Sequence, residues 1–182
     1  MFGVQDFPSG RRLTIASRFR YCPAMPENTV IRPAAPGEAA VLLAVMRRAF
    51  AEYRGVLVPE SSVFLETPDL IAEKLAGGGG FIAVDGEKPV GCLIAEEKAR
   101  RGYLGRLAVD PSLRRQGLAW RLMLAGEGFA RDRGLKIAEV QVRIALTGNI
   151  ALFQSLGYRE TARRAHPGFT APTYLVMEKS LE

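Results

Sequence analysis

The chain has 182 residues, 48% hydrophobic and 24% charged, with a formal net charge of +6 and two cysteines. That length suits one domain with a real core, the composition is globular, and no apolar run is long enough to span a bilayer. Cys22 and Cys92 make neither a disulfide framework nor a metal-ligand spacing, which points to a reducing cytoplasm, no membrane and no metal.

The elements read in chain order as follows. Thr29–Arg32 is a short strand, and Pro36-Gly37-Glu38 opens a helix running to about Tyr53 on an apolar stripe of Val41, Val45 and Ala49. Residues 54–68 are irregular. Thr67-Pro68-Asp69 caps a second helix that stops before the glycine run 77–80. Phe81–Val84 and Pro89–Ala95 form a hairpin about Asp85-Gly86. Tyr103–Val109 is the next strand, and a long helix follows from Gln116 to Arg133 on Leu118, Leu122, Ala125 and Phe129, ended by Gly134. Ile137–Val142 is a strand and Asn149–Leu156 a short helix, for which Asn149 has the chemistry of an N-cap. Tyr158–Arg163 and Thr173–Met177 complete the strands.

The charge is uneven. Residues 1–27 are a basic extension, and within residues 1–25 Arg11, Arg12, Arg18 and Arg20 stand against Asp6. A disordered tail, a true start at Met25 and a transit-type segment are three readings of it; the folded domain is expected over 28–182. Between Lys98 and Arg121, seven basic residues meet a single acid, Asp110. Such a cluster suits a small polyanion and does not call for nucleic acid.

That cluster surrounds the most informative stretch, Leu104–Pro111 followed by Arg114-Arg115-Gln116-Gly117-Leu118-Ala119. A buried strand, a tight stop and a helix opening on Gly117 and Ala119 leave backbone N–H groups accessible beside fixed positive charge, which is a main-chain cradle for phosphate. Neither the P-loop spacing nor the G-x-G-x-x-G dinucleotide spacing is present. The Arg114-x-x-Gly117-x-Ala119 pattern after a Leu-Ala-Val strand resembles motif A of the GNAT acetyltransferase superfamily. Asn149 to Tyr158, with Leu152-Phe153 and Leu156-Gly157-Tyr158, resembles motif B. The element order over about 29–180 is also that of this family.

The resemblance implies a single α/β (α+β) domain. Its mixed, mostly antiparallel central sheet would have splayed central strands and helices on both faces. It implies acetyl-CoA as cosubstrate, with pantetheine held by Leu107, Ala108 and Val109. The diphosphate would be held by Arg114, Arg115, Gln116, Gly117, Leu118 and Ala119, with Asn149 and Phe153 on the far wall. It also implies acetyl transfer to a primary amine by direct attack on the thioester.

Two departures matter. Many members carry Tyr where Phe153 stands, and Phe153 has no proton for the leaving thiolate. Members often carry Glu near position 103, where this chain has Tyr103. The candidate bases are then Glu96, Glu97 and His166, with Tyr103 as packing aromatic or proton relay. The acceptor, a small-molecule or peptide amine, is set by loops 54–68 and 165–172 or by a homodimer partner. Two other functions stay open: an acyl-CoA-binding sensor without transfer, and an enzyme that uses its basic arm on charged transfer RNA or a protein N-terminus.

Overall fold

The structure, a computed structural model, describes residues 29–182; the basic extension expected over 1–27 lies outside them. The elements are β1 (Thr29–Pro33), α1 (Ala39–Phe50), α2 (Pro68–Gly77), β2 (Gly79–Asp85), β3 (Lys88–Lys98), β4 (Arg101–Val109), α3 (Leu118–Asp132), β5 (Ile137–Arg143), α4 (Thr147–Ser155), β6 (Arg159–Arg164) and β7 (Tyr174–Ser180). The strands form one sheet ordered β1-β2-β3-β4-β5-β7-β6. Every pairing is antiparallel except β4 with β5. This is the mixed sheet with helices on both faces that the element order implied.

Two cores flank the sheet. On one face, Leu42, Val45 and Met46 of α1 and Ile71 of α2 pack on Ile82, Cys92 and Ile94. On the other, Leu118, Leu122, Met123 and Ala130 of α3 share a core with Leu93, Leu104, Val140 and Met177, joined by Phe153 and Leu156 of α4. With Gly126 and Glu127, the buried α3 positions recur at three- and four-residue spacing, which puts them on one stripe. Each fully buried Leu or Met there contributes roughly 1.5–3 kcal/mol. The stripe also holds Glu127, which the apolar pattern does not announce. It is fully buried, with Lys179 Nζ donating to both its oxygens at 2.8 Å and Arg131 donating at 3.3 Å. Two cations make the buried carboxylate tolerable and tie α3 to β7.

Two local expectations need correcting. The β3–β4 hairpin extends to Lys98 and starts again at Arg101, where the sequence suggested an end at Ala95 and a restart at Tyr103. Ala99 and Arg100 make its turn, both left-handed at φ 48° and 61°. That is the backbone of a tight two-residue hairpin, built without the Gly or Asn that usually signals one. Asn149 is not an N-cap: α4 begins at Thr147 with Leu146 as its N-cap, so Asn149 lies inside the first turn.

Candidate active site

β4 and β5 pair over two positions, Gly102 with Ala138 and Tyr103 with Glu139. Beyond them the strands diverge, and the main-chain groups that β4 turns toward β5 meet no strand partner there. β4 also bulges. Ile94 faces Gly105, yet Cys92, two residues earlier on β3, faces Ala108, so three steps on β4 match two on β3. Arg106 sits in the bulge with φ 56°. A bulge of this kind bends the strand and re-aims its main chain. The Arg106 side chain is held by Glu66, to which Nε donates at 2.9 Å, and by Ser62 at 3.2 Å. Glu66 is only 5% exposed and also accepts from Lys74. Burial works to raise its carboxyl, but the hydrogen bonds from Lys74 and Arg106 outweigh this and hold it below the usual carboxylate range.

After β4 the chain turns through Asp110, whose carboxylate accepts from the Ser112 amide at 3.1 Å and its hydroxyl at 2.7 Å. Arg115 and Gly117 are both left-handed, at φ 61° and 77°, on either side of Gln116. Alternating hand curls successive N–H groups toward one point, an anion-binding nest. Gly117 is the N-cap of α3 and supplies no side-chain acceptor. The amides at the head of the helix are therefore uncapped by side chain, and the helix dipole adds positive potential at the same place.

A cleft of about 500 Å³ joins these two features. Of the residues proposed from the sequence to bind cofactor, Leu107, Ala108, Val109, Arg114, Arg115, Gly117, Leu118, Ala119 and Asn149 line it. Gln116 and Phe153 do not. Gln116 Nε2 turns back to the Ser112 carbonyl at 3.5 Å. Phe153 is buried in the core, edge-on to Tyr158 at 5.9 Å between ring centres. The sequence reading missed a third wall, made by Ala49, Phe50 and Tyr53 at the end of α1. No local signal separates them from the apolar stripe they continue. Arg114 is fastened to this wall: Nη2 donates to the Ala49 carbonyl at 2.9 Å and Nη1 pairs with the Glu52 carboxylate. Its charge thus meets an acid of the protein, whereas its exposed neighbour Arg115 makes no ion pair among the described residues.

The four catalytic candidates are not brought together. Tyr103 stands at the last β4–β5 pair, where the splay opens. Its ring lies over Gly105, where a Cβ would stand 2.8 Å from Cε1, and Lys98 Nζ sits 4.0 Å from the ring centre. Burial pushes its hydroxyl above the usual tyrosine value, with Arg106 opposing. Glu96 is paired across from Tyr103 and shares its face of the sheet; Glu97, across from Gly102, is on the opposite face. Glu96 is joined to Lys98 at 3.1 Å.

His166 belongs to another group, in the loop between β6 and β7. Its Nδ1 is 2.5 Å from Thr173 Oγ1 and 3.4 Å from Arg143 Nη1, and its ring stands edge-on to Tyr174 at 4.8 Å. An arginine only donates, so Nδ1 is the acceptor and the neutral ring carries its proton on Nε2. Burial first, and Arg143 second, hold its pKa below the usual imidazole value. The ring is thus neutral near pH 7, but its lone pair is already engaged.

A family model described as the Acetyltransferase (GNAT) family matches residues 43–158. No match was found among curated protein sequences. Among solved structures, the fold is similar to that of PaiA N-acetyltransferase from Thermoplasma acidophilum in complex with coenzyme A. The TM-score is 0.71 at 16% identity, over 84% of this chain and 98% of that one. It is similar to the ribosomal-protein-S18-alanine N-acetyltransferase of Escherichia coli, with TM-score 0.67 and 22% identity over 84% and 94% of the two chains. It is also similar to yncA from Salmonella typhimurium with its cofactor acetyl-CoA, with TM-score 0.66 and 15% identity over 86% and 95%. At these identities the structures share a fold. Among the described residues, no group of His, Cys, Asp and Glu is arranged to hold a metal ion, and no helix is long and apolar enough to cross a membrane.

Proposed function

The chain belongs to the GNAT acetyltransferase family, and from that membership we propose that it is an acetyl-CoA-dependent N-acetyltransferase acting on a primary amine in the cytoplasm. The observation that carries this reading is the meeting, in one cleft, of the end of β4, past its last pairing with β5, with the side-chain-free N-terminus of α3. Strand edges accept an amide-rich arm by main-chain hydrogen bonds, and a helix N-terminus accepts phosphate. The two together suit pantetheine and its diphosphate. PaiA with coenzyme A and yncA with acetyl-CoA, both of this fold, support the choice of cosubstrate.

Acetyl-CoA supplies the thioester: a neutral amine attacks its carbonyl carbon, the C–N bond forms, the C–S bond breaks, and the amine's proton ends on the thiolate or in water. In this reading the main chain of Leu107–Val109 holds the pantetheine arm, and its N–H groups polarise the carbonyl oxygen. The amides from Gln116 to Ala119 hold the diphosphate, with Arg115 adding charge. Asn149 lines the opposite wall. Tyr103 keeps its proton through neutral pH and orients the attacking nitrogen, while Glu96 beside it takes the amine's proton through water. Glu97, on the other face, and His166, with its lone pair engaged, are left with supporting roles. Phe153 offers no acid, and a thiol of ordinary pKa leaves without one.

An amine panel with free-thiol readout tests this. Amine-dependent thiol release with a single ascending pH limb is expected. The limb should persist in His166→Gln and change in Glu96→Gln. A folded protein that binds acetyl-CoA yet releases no thiol with any amine would instead be an acyl-CoA-binding module, the reading favoured by the hydrocarbon-buried Phe153.

A further inference from the structure

β5 ends at Arg143. Ala138, Val140 and Val142 face the α3-side core, so Arg143 is on the other face of the sheet, the face of Tyr103. Arg143 lies four residues past Glu139, the last β5 residue paired with β4; counted with the extra residue of the bulge, that is the level of Ala108, just past the bulge, across the splay. That is where an amine must stand to reach a thioester held along β4.

The guanidinium is half-buried and immobilised. Nη2 donates to the carbonyl oxygens of Pro59 and, at 3.1 Å, of Glu60, and Nη1 lies 3.4 Å from His166 Nδ1. All three partners are uncharged. Arg101, Arg106, Arg114 and Lys179, also half-buried, each meet a carboxylate; among the described residues Arg143, like Arg121 on α3, meets none, and Arg143 alone of these two is held by loop carbonyls and an imidazole. Burial lowers its pKa, the mark of a charge taken from water without a counter-ion. Three segments distant in sequence thus hold one unneutralised cation at the level of the reacting centre.

We infer that the acceptor of the proposed transferase is an amine that also bears a carboxylate, an amino acid, whose carboxylate docks on Arg143 while its amino group faces the β4 bulge. The inference rests on the transferase reading but has its own readouts. An α-amino acid holds its two groups one carbon apart, which matches a cation just past the bulge. The fork of Arg143 gives a carboxylate two parallel hydrogen bonds. The bound carboxylate also offsets the positive charge that His166 now faces from Arg143.

The test compares each of the twenty protein amino acids with its decarboxylated amine as acceptor, with coenzyme A release as the signal. In the wild type the preferred amino acid should have a KM lower than its amine by about ten- to hundredfold, the strength of a charge-assisted hydrogen bond. Arg143→Gln, which keeps an amide donor for the loop carbonyls, should collapse that preference by raising KM for the amino acid alone, with kcat kept; a merely structural Arg143 would affect both acceptors alike. In parallel, the His166 imidazole is titrated by NMR in the wild type. Its pKa should rise with the preferred amino acid and stay put with the amine. Amines accepted as well as their parent amino acids overturn the inference, and so does a His166 titration that no amino acid moves. If no acceptor of either kind releases coenzyme A, the transferase reading fails, and the His166 titration decides alone whether Arg143 is a carboxylate site.

Discussion

The β4–α3 wall of the cleft and the Arg143 cluster beside the splay are made of different material. The β4–α3 wall is main chain: a bulge, a left-handed Gly117 and the free end of a helix, all within residues 104–119. The Arg143 cluster, a second wall outside the cleft lining, is side chain. Arg143 and the Pro59 carbonyl it holds are 84 positions apart, and His166 arrives from a third segment. A main-chain site tolerates loss of any one charged side chain but not a change of backbone. A side-chain site is the reverse.

The largest effect should come from breaking the first wall at its backbone. Gly117→Val puts a β-branched residue at φ 77°, where such residues are strained, and places side-chain atoms where a ligand must approach. Calorimetry should show coenzyme A binding weakened by at least about a hundredfold, in a protein whose circular dichroism is unchanged. Normal binding would move the diphosphate elsewhere.

Tyr103, on β4 at the mouth of the splay, should respond in turnover. Tyr103→Phe removes one hydroxyl at the mouth of the splay. It is expected to lower kcat about tenfold, less than the roughly hundredfold or more of a proton-transferring group because Tyr103 only orients the nitrogen, with KM for acetyl-CoA unchanged. A change in acetyl-CoA affinity instead would mean that Tyr103 belongs to the first wall.

Smaller effects should sharpen the line between the walls. Glu52→Gln frees Arg114 from its ion pair. Coenzyme A affinity should rise about two- to threefold at low salt and return to the wild-type value at high salt, because exposed charge is screened. Arg114→Ala should weaken affinity by a similar factor. An unchanged Kd in both would confine Arg114 to fastening α1.

The smallest effect lies outside both walls. Glu38 accepts from Arg32 at 2.7 and 2.8 Å and from the Ala35 amide, which together hold its carboxyl down at about 2 from an ordinary 4.5. A lowered carboxyl pKa gives stability that is present above the ordinary value and is lost as pH falls from there toward 2. Both side chains are partly in water, so Glu38→Gln should cost only about 0.2–1 kcal/mol at pH 7, with the difference gone near pH 2. Denaturation at several pH values checks it, and acetyl transfer should not change.

The same division explains what could be read from the chain. The β4–α3 wall was legible because its parts are contiguous and its glycine has one physical use. The order of strands and helices was legible because periodicity and caps such as Thr67, which accepts from the Leu70 amide at 3.3 Å, are local signals. The Ala99-Arg100 turn was not, because its conformation is imposed by the two strands and not by its residues. Nor were Ala49, Phe50 and Tyr53, whose place in the cleft depends on how α1 packs on the sheet. Glu96 and Glu97 look equivalent as neighbours; only the register with β4 assigns them opposite faces. Arg143 was visible as a residue, but its lack of a carboxylate partner is a fact about three distant segments.

The two-residue contact between β4 and β5 has one more consequence. Past Tyr103 and Glu139, two strand edges face each other inside a sheet. An outer edge is a template for unwanted pairing with another molecule; this inner pair is shielded by its own neighbours and admits only something as thin as an extended chain. Whatever pairs there acts as an added strand, so occupancy is linked to folding: each rise in ligand concentration above Kd stabilises the whole sheet logarithmically. In the proposed transferase, the opening that makes room for chemistry is thereby also where a bound cosubstrate would stabilise the fold.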